Sequence, residues 1–209
     1  MNRKQILEAL LHHKLVAIVR LKQQDQVAEV LENLIAGGVQ VLEITSNTPG
    51  FAEEIKIARK RYPEILIGAG TITTTDLALT AIKFGAQFLV TPNTNPEIVK
   101  LAHLYNIPVL MGATTPTEIA LSVEAGADIV KLFPAAPLGL EYFKAIKAPF
   151  DDVSFFAVGG IDPENHKDWL DAGVAGIGIG SSIAKPIGTL AGQQANIVQV
   201  QEIVKYITN

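Results

Sequence analysis

Two ionisable residues stand inside apolar runs: Lys131 in ADIVKLFPAA, between Ile129-Val130 and Leu132-Phe133, and Glu43 in VLEIT. A charge in an apolar wall is costly unless it is paired or neutralised, so each position needs a chemical reason. Of the 13 lysines, only Lys131 falls within an apolar strand-like run. Side chains alternate along a strand, so Ile129, Lys131 and Phe133 share one face, and Val41, Glu43 and Thr45 share another. Two readings stand. One is a buried structural ion pair between Lys131 and Glu43. The other is an amine kept partly neutral by desolvation, nucleophilic toward a carbonyl, with a carboxyl nearby to shuttle protons. The second arrangement suits Schiff-base chemistry.

Glycine-rich stretches supply a second signal. AVGGIDPEN carries Gly159 and Gly160, and GIGIGSSI carries Gly178, Gly180, Ser181 and Ser182. Glycine lets backbone N–H groups approach an anion closely, so these stretches either bind phosphate or serve tight packing. Thr71, after Gly68-Ala69-Gly70, is a donor to a carboxylate or carbonyl, or a helix cap. Arg20 is the only arginine at the end of an apolar run, an anion ligand or one half of a surface ion pair. Phe133 and Pro134 would shape a pocket wall, and Trp169 in KDWLDAG reads as a helix packing residue.

The elements that must position these groups repeat. LVAIVR (15–20), VLEIT (41–45), ILIGAGT (65–71), FLVTP (88–92), VLMGAT (109–114), IVKLFP (129–134), VSFFAVGG (153–160) and AGIGIGSS (175–182) begin 20 to 26 residues apart. Each is followed by helical spacing. Asn95-Pro96-Glu97, Thr115-Pro116-Thr117-Glu118 and Asp162-Pro163-Glu164 read as helix starts, and IAGGVQ, KFGAQ, EAGAD and DAGVA as helix ends at a glycine. Eight such units predict a (β/α)8 TIM barrel with an extra N-terminal helix, a single catalytic domain over 1–209. A doubly wound sheet would need a glycine fingerprint after the first strand, and LVAIVRLKQQDQ has no glycine. In a barrel the chemistry sits at the carboxyl ends of the strands, and phosphate after strands seven and eight.

Composition narrows the function classes. At 48% hydrophobic and 18% charged, the 209 residues carry no disorder signature. The net charge of −4 argues against nucleic-acid and anionic-membrane partners. No apolar run reaches membrane-spanning length, and MNRKQILEALLHHK reads as an amphipathic helix rather than a cleavable leader, so a cytoplasmic location is expected. Without cysteine there is no thiolate metal site, and His12, His13, His103 and His166 fall away from strand ends. Neither a metal nor another cofactor is expected.

On EITSNTP, IGAGT, VTPN, VKLFPA, AVGGI and GIGSS, six segments in order along essentially the whole chain, the sequence resembles the 2-keto-3-deoxy-6-phosphogluconate / 2-keto-3-deoxy-6-phosphogalactonate aldolase family. The resemblance implies a metal-free class I aldolase, usually a homotrimer, that cleaves a phosphorylated 2-keto acid to pyruvate and glyceraldehyde 3-phosphate. Lys131 would form the imine and Glu43 would shuttle protons. Thr71 would hold the pyruvate carboxylate, with Arg20, Asn47, Pro92, Phe133 and Val158 lining the substrate site. Gly159, Gly160, Gly180 and Ser181 would bind phosphate. Asn47 stands where the gluconate branch typically has arginine, and Val158 where it has threonine. Both departures resemble the galactonate branch, and Arg20 or backbone donors are expected to replace the missing arginine. A phosphosugar isomerase or epimerase of the same fold and a non-catalytic phosphometabolite-binding protein are the alternatives.

Overall fold

Strand-sized β-branched runs alternating with amphipathic segments have one economical solution, in which each strand pairs with its successor and each connection packs outside. The computed structural model, which describes residues 1–208, shows that solution. The strands are β1 (Leu15–Val19), β2 (Val41–Thr45), β3 (Leu66–Gly70), β4 (Leu89–Val90), β5 (Val109–Ala113), β6 (Ile129–Leu132), β7 (Phe155–Val158) and β8 (Gly176–Ile179). All are parallel, and β8 pairs back onto β1 to close an eight-stranded TIM barrel. The helices are α1 (Arg3–His13), α2 (Val27–Ala36), α3 (Phe51–Arg61), α4 (Thr75–Lys83), α5 (Pro96–Leu104), α6 (Pro116–Glu124), α7 (Ala135–Lys147, interrupted at Gly139), α8 (His166–Asp171) and α9 (Leu190–Thr208). None is long and apolar enough to cross a membrane.

Strand alternation divides the core in two. Outward residues such as Ala17, Leu42, Ile44, Val130 and Leu132 pack against the helices. Inward residues such as Val16, Val41, Phe88, Ile129 and Phe156 form a separate cluster, together with Ile6 and Leu10 of α1. The additional helix thus plugs the amino end of the barrel, where Arg3 pairs with Asp128 at 3.3 Å. The inward phase of Ile129 carries Lys131 with it, and that of Val41 carries Glu43. Because β2 and β6 are four strands apart in a ring of eight, these two side chains approach from opposite walls.

Helix ends follow local chemistry. Asn95 and Thr115 cap α5 and α6, and Gly38, Gly85, Gly126 and Gly173 close the helices before β2, β4, β6 and β8 with positive φ. The start expected at Asp162-Pro163-Glu164 is corrected. Here α8 begins at His166, because the Asp162 carboxylate accepts from the N–H groups of Glu164 and Asn165 and holds 162–165 as a turn. The fourth strand is also shorter than its apolar run.

Candidate active site

A cavity of about 370 Å³ opens at the carboxyl end of the barrel. It brings together Arg20, Glu43, Lys131, Phe133, Val158, Gly159, Gly160, Gly180 and Ser181. Thr71 joins them indirectly: its backbone turns through φ 57° after β3, and its Oγ1 accepts from the Arg20 guanidinium at 3.2 Å. Asn47 is exposed, and neither it nor Pro92 is among the lining residues. Beside Asn47, Ser46 donates to the Thr71 carbonyl at 2.7 Å and Thr48 to the Val19 carbonyl at 3.3 Å, so its neighbours are tied to the adjoining strand ends while Asn47 itself faces solvent. The backbone of Pro92 packs on Gly112.

Lys131 and Glu43 are 4% and 2% exposed, yet no hydrogen bond or ion pair joins them among the described residues. The direct structural ion pair is therefore absent. Burial holds the Lys131 amine below the ordinary lysine range, against the opposing pull of Glu43 and with a smaller push from Arg20. Burial likewise raises the Glu43 carboxyl above the ordinary range, against Lys131 and Arg20. Desolvation disfavours both charges, so a neutral amine and a protonated carboxyl become accessible together. The Lys131 Nζ also lies 4.8 Å from the centre of the Phe133 ring. Behind Glu43 the wall is Gly70, where any β-carbon would collide with the carboxyl group. The glycine of IGAGT thus makes room for an ionisable group in the barrel.

The opposite rim is built from backbone. Gly159 and Gly160 have φ of 93° and 78°, the left-handed region that glycine occupies without strain. The Gly159 carbonyl accepts from Ala136 N–H at 2.9 Å, and the Gly160 carbonyl from Asn165 Nδ2 at 2.8 Å. In a trans peptide the N–H points opposite to its carbonyl, so the N–H groups of Gly160 and Ile161 turn away from those partners. Neither has a protein acceptor among the described residues, nor do the N–H groups of Ser181 and Ser182 in the adjacent loop after β8. The Ser182 hydroxyl is buried without a partner. Four N–H groups without protein acceptors, from two neighbouring loops and all on cavity-lining residues, are donors of the kind an anion accepts from. Ile18, Ile161 and Asp162 also line the cavity. Sequence reasoning takes Asp162 only as a helix cap and passes over the two isoleucines. The signals were the two-residue spacing from Ile18 to Arg20 and the placement of Ile161-Asp162 directly after the paired glycines. Among the described residues no group of three or more His, Asp or Glu side chains is placed to hold a metal ion.

Comparison with known proteins agrees with this architecture. Residues 6–200 match the family model described as KDPG and KHG aldolase. The 2-dehydro-3-deoxy-6-phosphogalactonate aldolase of Escherichia coli (strain K12) is 37% identical over 171 residues, covering 81% of this chain and 83% of the relative. The 2-dehydro-3-deoxy-phosphogluconate aldolase of Haemophilus influenzae is 36% identical over 168 residues, covering 80% and 79%. Among solved structures, the KDPG aldolase from Legionella pneumophila with pyruvate captured as a covalent carbinolamine intermediate superposes with a TM-score of 0.82. It is 28% identical and covers 97% of this chain and 98% of that one. Fold and relatives together define an aldehyde-lyase on a (β/α)8 barrel. Within that class, the chain belongs to the KDPG and KHG aldolase family.

Proposed function

We propose that this chain cleaves a 2-keto-3-deoxy-6-phospho-aldonate to pyruvate and glyceraldehyde 3-phosphate through a Schiff base on Lys131. The observation that carries the reading is the unbonded Lys131–Glu43 pair, each group shifted toward its neutral form, in one cavity with these N–H groups. Neutral Lys131 adds to the C2 ketone, and the Glu43 carboxylic acid protonates the departing hydroxyl, giving an iminium and water. Glu43, now a carboxylate, takes the C4 hydroxyl proton directly or through water. The C3–C4 electrons flow into the iminium, glyceraldehyde 3-phosphate leaves, and the enamine is protonated at C3. Water then hydrolyses the iminium to pyruvate and free Lys131. In this reading Gly159, Gly160, Gly180 and Ser181 hold the phosphate, far from the broken bond, where binding energy can be spent on positioning. Phe133 belongs to the substrate wall, whereas Pro92, expected there too, stands behind it on Gly112, and no metal or other cofactor takes part.

The keto-acid carboxylate is assigned to Thr71 and Arg20. Their hydrogen bond puts a hydroxyl and a guanidinium side by side, and this supports Arg20 as the substitute for the arginine that Asn47 replaces. Val158 and Ile18 present hydrocarbon where a hydroxyl-bearing residue would bond one C4 epimer, and this favours the galactonate form. The relatives do not choose, since the galactonate and gluconate enzymes are 37% and 36% identical. Assembly as a homotrimer belongs to the same proposal.

Borohydride reduction in the presence of pyruvate, followed by peptide mass spectrometry, tests the chemistry. A reduced pyruvyl group is expected on Lys131, and an unmodified lysine would exclude the Schiff base and favour an isomerase or a binding protein. Retro-aldol turnover of the two C4 epimers tests specificity: a strong gluconate preference would reject the galactonate assignment.

A further inference from the structure

We infer that Asn165 is a positioning residue for the phosphate-binding end of the cavity, acting through the Gly160–Ile161 peptide. The inference rests on the phosphorylated substrate proposed above. Asn165 uses its whole amide. Its Oδ1 accepts from Asp162 N–H at 3.1 Å, and its Nδ2 donates to the Gly160 carbonyl at 2.8 Å. Its own backbone N–H donates to Asp162 Oδ1 at 3.0 Å, so residues 162 and 165 are joined reciprocally. The turn is anchored in turn to α8, where His166 N–H donates to the Asp162 carbonyl at 3.1 Å.

This network decides where one peptide points. Both Gly159 and Gly160 have positive φ, and glycine at two consecutive positions leaves the segment with little conformational preference of its own. The Gly159 carbonyl is fixed by Ala136 N–H at the start of α7, so that peptide is set independently of Asn165. The Gly160 carbonyl has one protein donor among the described residues, the Asn165 amide. Fixing that oxygen fixes the opposite end of the same planar group, the Ile161 N–H, which has no protein acceptor and lies on a cavity-lining residue. Without Asn165 the peptide is free to rotate, and an N–H preorganised for a dianion becomes one that must be ordered on binding.

The test separates this role from a general contribution to folding. Asn165→Ala removes both contacts. Asn165→Asp keeps an acceptor for Asp162 N–H but replaces the donor to Gly160 with an oxygen that repels it. Both variants are expected to raise KM for the phosphorylated keto acid roughly tenfold, the loss of one hydrogen bond to a charged group, with kcat little changed. Half-saturation of borohydride trapping by pyruvate, which has no phosphate, should stay at the wild-type value. Equal weakening of phosphorylated substrate and pyruvate would overturn the inference, as would a wild-type KM in Asn165→Asp. Failure of the wild-type protein to trap pyruvate at all would strike the Schiff-base reading instead.

Discussion

Two carboxyl groups, one near each end of the barrel, are both hidden from water and treated in opposite ways. At the amino end the Asp128 side chain is 4% exposed and fully partnered. Its Oδ2 accepts from Val109 N–H and meets His103 Nε2, each at 2.9 Å, and its Oδ1 pairs with Arg3 at 3.3 Å. Facing the carboxyl end, Glu43 is 2% exposed and has no partner among the described residues. A buried carboxylate with three partners is a structural joint, whereas a carboxyl with none, facing a cavity, is pushed toward its protonated form. The same division runs through the molecule. Ile6 and Leu10 of α1 fill the amino end with hydrocarbon, while the carboxyl end keeps unbonded N–H groups and two shifted side chains. Stability and chemistry occupy opposite ends of one barrel.

Substitutions at the two ends should therefore part company. Lys131→Met is expected to reduce turnover by several orders of magnitude, since no other side chain in the cavity can form the imine. Its thermal midpoint should equal or exceed that of the wild type, because a buried cation has been replaced by hydrocarbon. A large loss of stability together with residual pyruvate production would break the contrast. Glu43→Gln is expected to slow turnover about 10²–10⁴-fold while leaving the fold intact, measured by single-turnover cleavage and thermal unfolding. At the other end, Asp128→Ala leaves Val109 N–H without its acceptor and should cost about 1–3 kcal/mol in denaturant unfolding. Its kcat should match the wild type, and a fall in kcat would mean that the amino end also tunes the chemistry.

How much of this was legible in the sequence follows from the same division. Lys131 and Glu43 were visible because charge inside an apolar run is conspicuous, and strand alternation fixed which way they face. The barrel was visible because eight runs recur with glycine-terminated helices between them. The length of β4 was not: Thr91 N–H still donates to the Leu110 carbonyl of β5, but the Thr91 hydroxyl accepts from Gly112 N–H and donates to the Asn93 carbonyl, closing a local turn where the apolar run would carry on. An aspartate before proline has the same composition in a helix cap and in a free-standing turn, so sequence alone does not distinguish the two at Asp162. Ile18 was invisible for a different reason: an aliphatic residue in a strand looks the same whether it meets the core or a substrate. Asn47 and Pro92 entered through resemblance alone, and their placement depends on loop conformations that motif spacing does not specify.

The finest test of the contrast is a pair of opposite pH shifts. Imine formation requires the neutral amine, so trapping by pyruvate should rise with pH through the Lys131 pKa, which burial places below its ordinary 10.5. Arg20 contributes to that lowering and Glu43 opposes it. Removing the guanidinium in Arg20→Gln should move the rising limb to higher pH, and removing the carboxylate in Glu43→Gln should move it to lower pH. The linked stability has a definite sign. Between the lowered native pKa and 10.5 the unfolded chain binds more protons at Lys131, so unfolding free energy rises with pH across that window, and Lys131→Met should abolish this dependence. Glu43 acts in reverse: its raised native pKa makes stability fall as pH climbs from its ordinary 4.5 to the native value, and Glu43→Gln should flatten that slope. Asp128→Ala, at the far end, should leave the trapping limb where it is. If Arg20→Gln and Glu43→Gln moved the limb in the same direction, the charges around Lys131 would not be acting through the electrostatics of a shared, poorly solvated cavity.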